Sequence, residues 1–331
     1  MTATAVTAAL LPLDQSTYRP HVLHSEERTW TETNCYVDVW IELLHAWGLD
    51  PIAVMAFTLR IDYEADQWTF FKVPLEDLHV VYGIEVGELN PWHELTEQIE
   101  HQLHAGRPVL VEVDAFYLPD THGSSYRQAH VKTTVGVQFL DRAAYRVGYF
   151  HNRAYYEAFG ADYLGLFPPP EARGDGVLPP YVEYVRLDRL ERPEGAVLRD
   201  RVRTLMHRHW CARPAENPMT VYRRGFMADL AWLATQPMAM FHQYAFATLR
   251  QCGANFEIAS ALCLWLAERG DGDVRPAAEA FSAISDAAKT LQFTLARFAH
   301  NKRPFDAVPL LDSIESQWDA GMACVGRVYG G

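Results

Sequence analysis

The feature that most constrains this chain is a change of period near Leu190. Before it, β-branched and aromatic runs alternate with amphipathic stretches. After it, only helical spacing remains. Pro108 to Phe116 is a strongly β run, and Val131 to Phe139 with Tyr145 to Phe150 flank Leu140-Asp141-Arg142 as a hairpin. Ala53 to Ile61 and Trp68 to Val73 read as two further strands, and Tyr181 to Leu187 as a last short one. Beyond Leu190 the spacing predicts helices over Val197 to Cys211, Pro218 to Leu233, Ala239 to Cys252, Phe256 to Arg269, Val274 to Phe298 and Val308 to Val328, punctuated by Gly253, Gly270 and Pro304. The Pro- and Gly-rich segment Phe167 to Pro180 reads as an irregular connection. The expectation is an α+β domain over residues 1–190 and an α-helical domain over 191–331.

Charge divides at the same place. Residues 1–195 carry 14 Lys and Arg against 29 Asp and Glu, a net of −15, and the remainder is +2, giving −13 over 331 residues. Such a balance argues against non-specific nucleic-acid binding. With 49% hydrophobic and 21% charged residues the chain is globular in composition. No apolar run approaches the ~20 residues of a membrane span, and Met1 to Pro12 lacks the cationic start of a signal peptide. Five cysteines without a Cys-x-x-Cys pair point to the reducing cytoplasm.

One cysteine stands apart. Asn34 reads as a helix N-cap, followed by Val37, Trp40, Ile41, Leu44 and Trp47 at helical spacing and by Gly48 as the stop. Cys35 then occupies the first helical position, where unpaired N–H groups and the helix dipole favour a thiolate nucleophile. The other cysteines lie within or at the ends of apolar helices and read as packing. A nucleophile needs a base and the base an orienting partner. His130 heads the strand Val131 to Phe139. A hairpin centred on Asp141 sets it opposite Asn152, and a turn one residue longer would set it opposite Arg153, with Cβ atoms roughly 5 Å apart. Asn152 would then hold the imidazole tautomer. Asp114, at a strand end, is equally a site carboxylate or an ordinary strand-terminal acid.

The order of these elements, a helix with Cys and then strands with His and Asn, is that of papain-like cysteine enzymes, and Thr33-Asn34-Cys35-Tyr36-Val37-Asp38-Val39-Trp40 resembles their nucleophile helix. Val111 to Pro119, followed by Ala129-His130, resembles the strand–loop–His signature of butirosin biosynthesis protein H-like acyltransferases and of a related bacterial group that accompanies carrier proteins. The resemblance spans about residues 25–165. It implies a papain-like cysteine-peptidase-type catalytic domain that takes an acyl or aminoacyl group from a carrier-protein phosphopantetheine thioester and passes it to an amine. Cys35 would be nucleophile, His130 base and Asn152 orienter, with Asp114 and Tyr117 in the substrate cleft. No cofactor is implied beyond the carrier's own phosphopantetheine. No Gln precedes Cys35 where many such enzymes place an oxyanion donor, so the Cys35 N–H and a second donor such as Asn34 or Thr33 would serve. An amidase or peptidase using the same residues, or an inactive carrier-binding scaffold, are the alternatives.

Two further groups complete the reading. His93, Glu97, His101 and His104 lie about one turn apart opposite the apolar stripe Trp92, Leu95, Ile99 and Leu103. They are taken as a solvated face rather than a metal site. Arg201, Arg203 and Arg208, with Arg223 and Arg224, form the most basic stretch and the expected dock for an acidic carrier protein.

Overall fold

The computed structural model describes residues 8–169 and 178–331. The segment read for a leader and the connection Phe167 to Pro180 fall largely outside the described residues. In chain order the elements are β1 (Ala8–Ala9), α1 (Cys35–Ala46), a 3₁₀ helix (Pro51–Arg60), β2 (Tyr63–Glu64), β3 (Gln67–Trp68), α2 (Leu75–Tyr82), β4 (Glu85–Leu89), α3 (Leu95–His104), β5 (Val109–Asp114), β6 (Lys132–Asp141), β7 (Arg146–His151), β8 (Ala154–Phe159), α4 (Ala161–Leu166) and β9 (Val182–Arg186). Then follow α5 (Gly195–Cys211), α6 (Pro218–Leu233), α7 (Met238–Ala245), a π turn (Phe246–Arg250), α8 (Gln251–Glu268), α9 (Arg275–Asn301) and α10 (Val308–Tyr329). The protein is α+β, with a helical C-terminal region.

Two compact units share the chain. One takes the residues up to Val22, Asn34–Leu49 and Leu78–Arg192. The other takes Leu23–Thr33, Asp50–Asp77 and Pro193–Gly331. Where the period of the sequence places a single boundary at 190/191, two early segments thus belong with the late helices.

The first unit is built on a sheet of order β4-β9-β5-β6-β7-β8, antiparallel at every pairing among the described residues, with β1 alongside the far end of β6. On β5 and β6 the alternating Val109, Val111 and Val113 and Val135 and Val137 bury one face with Leu95, Ile99 and Leu103 of α3. Helix α1 covers the other face. The glycine at 136 makes this approach feasible: a Cβ there would lie 3.0 Å from Val39 Cγ1. Trp92, read as part of the α3 stripe, instead precedes that helix and is 80% exposed.

The second unit is helical apart from the β2–β3 hairpin. The expected strand Ala53 to Ile61 is the 3₁₀ helix, started by Asp50, whose Oδ1 accepts the Ile52 N–H, and by Pro51. A continuous apolar run carries no period that separates strand from buried helix, so the start signal decides. Of the expected strand Trp68 to Val73, only Trp68 pairs. Gly253 does not punctuate. It lies buried within α8, where its missing side chain receives the Trp30 indole. That ring is held by Trp30 Nε1 donating to Ser285 Oγ (3.0 Å) and by the Lys289 ammonium 4.2 Å over it.

Candidate functional site

Helix α1 starts where Asn34 caps it. Asn34 is extended (φ −147°, ψ 157°), buried, and its Oδ1 accepts the Val37 N–H at 3.1 Å. This makes Cys35 the first helical residue. Its thiol is half-buried. Among the described residues neither its Sγ nor its backbone N–H makes a hydrogen bond.

The carboxylate that orients the base comes from the sheet face that α1 covers. Gly136 faces Val39 and Leu43 of α1, so by alternation Thr134 and Lys132 of β6 share that face. Asp114 pairs directly with Lys132 and lies on it too. The chain leaves β5 at Asp114 and returns to β6 through a loop whose ends are joined by Ala115 N–H donating to Val131 O (2.8 Å). Within this loop Asp114 Oδ1 accepts the Phe116 N–H at 3.0 Å, and Asp114 Oδ2 lies 2.5 Å from His130 Nδ1. The His130 ring stacks on Phe116, 4.4 Å between centroids and 12° from parallel. His130 Nε2 has no partner among the described residues, and the side chain is 68% exposed. An imidazole oriented by a carboxylate through Nδ1 and open at Nε2 is equipped to move protons.

Asn152 does not partner His130. The β6–β7 turn runs over residues 142–145, and a bulge lies between Val137 and Phe139. Gly136 therefore pairs with Phe150. That register is shifted four residues from a turn centred on Asp141. Asn152 sits in the β7–β8 turn at φ +45°, a conformation Asn tolerates, and His130 lies before β6 altogether. The neighbouring His151 faces the α3 side and is buried. Its Nδ1 lies 2.5 Å from Asp120 Oδ2, its Nε2 lies 2.8 Å from Thr133 Oγ1, and Asp120 Oδ1 accepts the Tyr149 hydroxyl at 2.7 Å. With both ring nitrogens engaged, this second His–Asp pair ties the loop carrying Asp120 to the sheet. Burial first, and the Asp120 charge second, push the Tyr149 hydroxyl far up, so it stays a donor.

Tyr117 follows Phe116 and packs its ring against α4 at Gly165. The Arg127 guanidinium lies 5.3 Å from the Tyr117 ring centre and 5.6 Å from that of Phe116, and pairs with Asp162. These side chains form an aromatic wall next to His130. The sequence offers Asp114 as a site carboxylate or a strand-terminal acid, and as a cleft residue by resemblance, but not as the partner of His130. A strand-terminal acid followed by a loop that returns to a His is the signal that could have paired them.

Among the described residues no group of three or more His, Cys, Asp and Glu could hold a metal, and His93 Nδ1 instead lies 3.2 Å from Glu97. Nor is any helix among them long and apolar enough to cross a membrane. The basic stretch is engaged internally. Arg203 pairs with Asp271 and Asp200, Arg208 with Asp77 and Glu76, and Arg223 with Asp312 and Glu315, while Arg224 is exposed.

Comparison with protein families matches residues 19–187 to the DUF1839 N-terminal domain and residues 195–327 to the DUF1839 C-terminal domain. Neither match links the chain to butirosin biosynthesis protein H or to papain-like acyltransferases. A search of curated proteins finds no match.

Proposed function

The chain belongs to the DUF1839 family, and for its N-terminal domain we propose Cys-dependent acyl or aminoacyl transfer, from a carrier-protein phosphopantetheine thioester to an amine, on a papain-like fold. The observation that carries this reading is the Asp114–His130 pair, whose carboxylate lies on the sheet face covered by the helix that Cys35 begins. Asp114, in place of Asn152, is the orienting residue.

In this mechanism Cys35 Sγ gives its proton to His130 Nε2 and attacks the thioester carbonyl. The C–S bond to phosphopantetheine breaks, and the leaving thiolate takes the proton from the imidazolium. An amine then attacks the Cys35 thioester, loses a proton to His130, and the amide departs as Cys35 is reprotonated. The free Cys35 N–H faces the developing oxyanion. Asn34 serves by fixing the helix start, since its Oδ1 is used on Val37. Asp114 keeps the imidazole tautomer, and Tyr117 lines the cleft. Arg203, Arg208 and Arg223 offer a carrier little net charge, because internal carboxylates already balance them. All five cysteines are free.

A hydrolase using the same residues is the second reading, favoured by the exposure of His130, which leaves water beside the base. Intact mass after mixing with an aminoacylated carrier tests both. A covalent adduct on wild type that is absent from Cys35→Ala is expected. Amide product on adding an amine marks a transferase, free acid a hydrolase. No adduct with any loaded carrier, and no turnover, leaves the inactive scaffold.

A further inference from the structure

Helix α3 buries Leu95, Ile99 and Leu103 and turns Gln98 and Gln102 to another side, four residues apart. There they line a cavity of about 270 Å³ with Asn90, Trp92, His93 and His101. Three features of this cavity are unlike ordinary surface. Trp92 leaves 80% of its area in solvent while its ring edge meets the His93 ring at 4.2 Å, which fixes its orientation. Gln98 Oε1 and Gln102 Oε1 are closed off from solvent and have no hydrogen-bond partner among the described residues. Asn90 adds a third amide side chain with no hydrogen bond among them. Both side chains nonetheless line the depression, so amide groups, with no charged Lys or Arg among them, make up its polar wall.

We propose that this cavity is a binding site for an uncharged polyhydroxylated ring, a monosaccharide unit, with the ring's C–H face on Trp92 and its hydroxyls on Gln98, Gln102 and Asn90. A hydroxyl both donates and accepts, as does an amide, so the two sets match without a fixed order of donors. An exposed indole face supplies the apolar contact that amides cannot. No Lys or Arg lines the cavity, and the first 195 residues carry a net charge of −15, so the site offers nothing to a phosphate or carboxylate. The volume lies just under the roughly 300–1,000 Å³ of drug-sized ligand pockets, which suits one ring rather than a dinucleotide. His93 and His101 stand at the rim, where His93 is already tied to Glu97.

This site uses no residue of the proposed Cys35 chemistry, and its test is separate. Saturation-transfer NMR on the full chain with N-acetylglucosamine, methyl β-glucopyranoside and methyl β-galactopyranoside should show transfer to the ring C–H protons of at least one probe. The signal should disappear in Trp92→Ala, whose exposed side chain can be removed without unfolding the chain, and fall at least several-fold in the Gln98→Ala, Gln102→Ala double variant. Far-UV circular dichroism confirms that both variants are folded, and Cys35→Ala should bind as wild type does. No transfer to any of the three probes overturns the proposal, as does equal transfer in folded Trp92→Ala. Trp92-dependent binding of adenosine with no sugar bound overturns the ligand class.

Discussion

Asp114 and His130 meet at 2.5 Å between Oδ2 and Nδ1, sixteen positions apart, because the loop between them leaves and re-enters the sheet on adjacent strands. The carboxylate is fixed by the Phe116 N–H and the imidazole by the Phe116 ring, so one residue braces both partners.

Asp114→Asn should lower single-turnover acyl transfer on the order of 10²- to 10⁴-fold, since an amide at this point no longer enforces the imidazole tautomer. Asn152→Ala should leave the rate within a few-fold of wild type and cost about 1 kcal/mol in urea unfolding, through its left-handed backbone. Reversal of these two results would restore Asn152 as the orienter.

Limiting iodoacetamide should label Cys35 and Cys211 in the native protein and spare Cys252, Cys263 and Cys324. The first pair is half-buried and exposed, the rest buried, and burial pushes the Cys252 and Cys263 thiols far up. An acyl donor should protect Cys35 alone. Peptide mapping checks both statements, and protection of Cys211 would shift attention from Cys35.

Arg208→Glu should destabilise the chain by about 3–5 kcal/mol, because it removes the cation beside the fully buried Asp77 and adds a like charge. Arg224→Glu, at an exposed position, should stay within about 0.5 kcal/mol. Chemical unfolding midpoints read both. A native-like Arg208→Glu would mean that Asp77 has another counter-charge.

His209 gives the pH dependence of stability. Its Nε2 lies 2.6 Å from Asp77, which Arg208 already neutralises. Burial first, then the charges of Arg208 and Arg60, push the imidazole down to about 3. The unfolded chain binds a proton here near pH 6.5, which the folded chain refuses. The stability contribution is therefore complete above pH 6.5 and is lost as pH falls toward about 3, up to a few kcal/mol. His209→Gln should flatten that part of the unfolding-versus-pH curve. An unchanged slope would assign it to other groups.

Gly253→Ala isolates packing from propensity. In a helix interior the change normally stabilises by about 1 kcal/mol. Here the added carbon would fall 2.3 Å from Trp30 Cζ2, on a ring pinned by Ser285 and Lys289, so overpacking of about 1–3 kcal/mol or more wins and the melting temperature should fall. A rise would mean that the indole can slide.

What the sequence discloses is what is local. Asn34 bounds α1 through its side-chain cap and Gly48 through its left-handed backbone, and α6 runs from Pro218 to Leu233 as its spacing predicts, because caps and period act within a few residues. That Asn152 does not face His130 depended on the length of the β6–β7 turn and the bulge before Phe139, and the Asp114–His130 contact on the loop joining β5 to β6, none of which alternation encodes. Gly253 read as a breaker because the indole that fills its place comes from a segment far earlier in the chain. The arginines of α5 read as a free surface because Asp77 and Asp271 are distant in sequence.

The interleaving of the two units sets a timetable for synthesis. Segments 23–33 and 50–77 emerge early, yet the groups that complete them come last: Thr58 O accepts from Asn255 Nδ2, Asp50 Oδ2 from Trp265 Nε1, and Trp30 donates to Ser285. At about 5–20 residues per second a ribosome needs on the order of 10–40 s to travel from residue 77 to residue 285. During that interval Trp30, buried in the finished protein, lacks Ser285 and Lys289, and Trp68 lacks Tyr222 until that residue emerges. A chain released near residue 190 would leave Trp30 without Gly253, Ser285 and Lys289 and Trp68 without Tyr222, so the gap between the two family domains is a poor place to cut this gene.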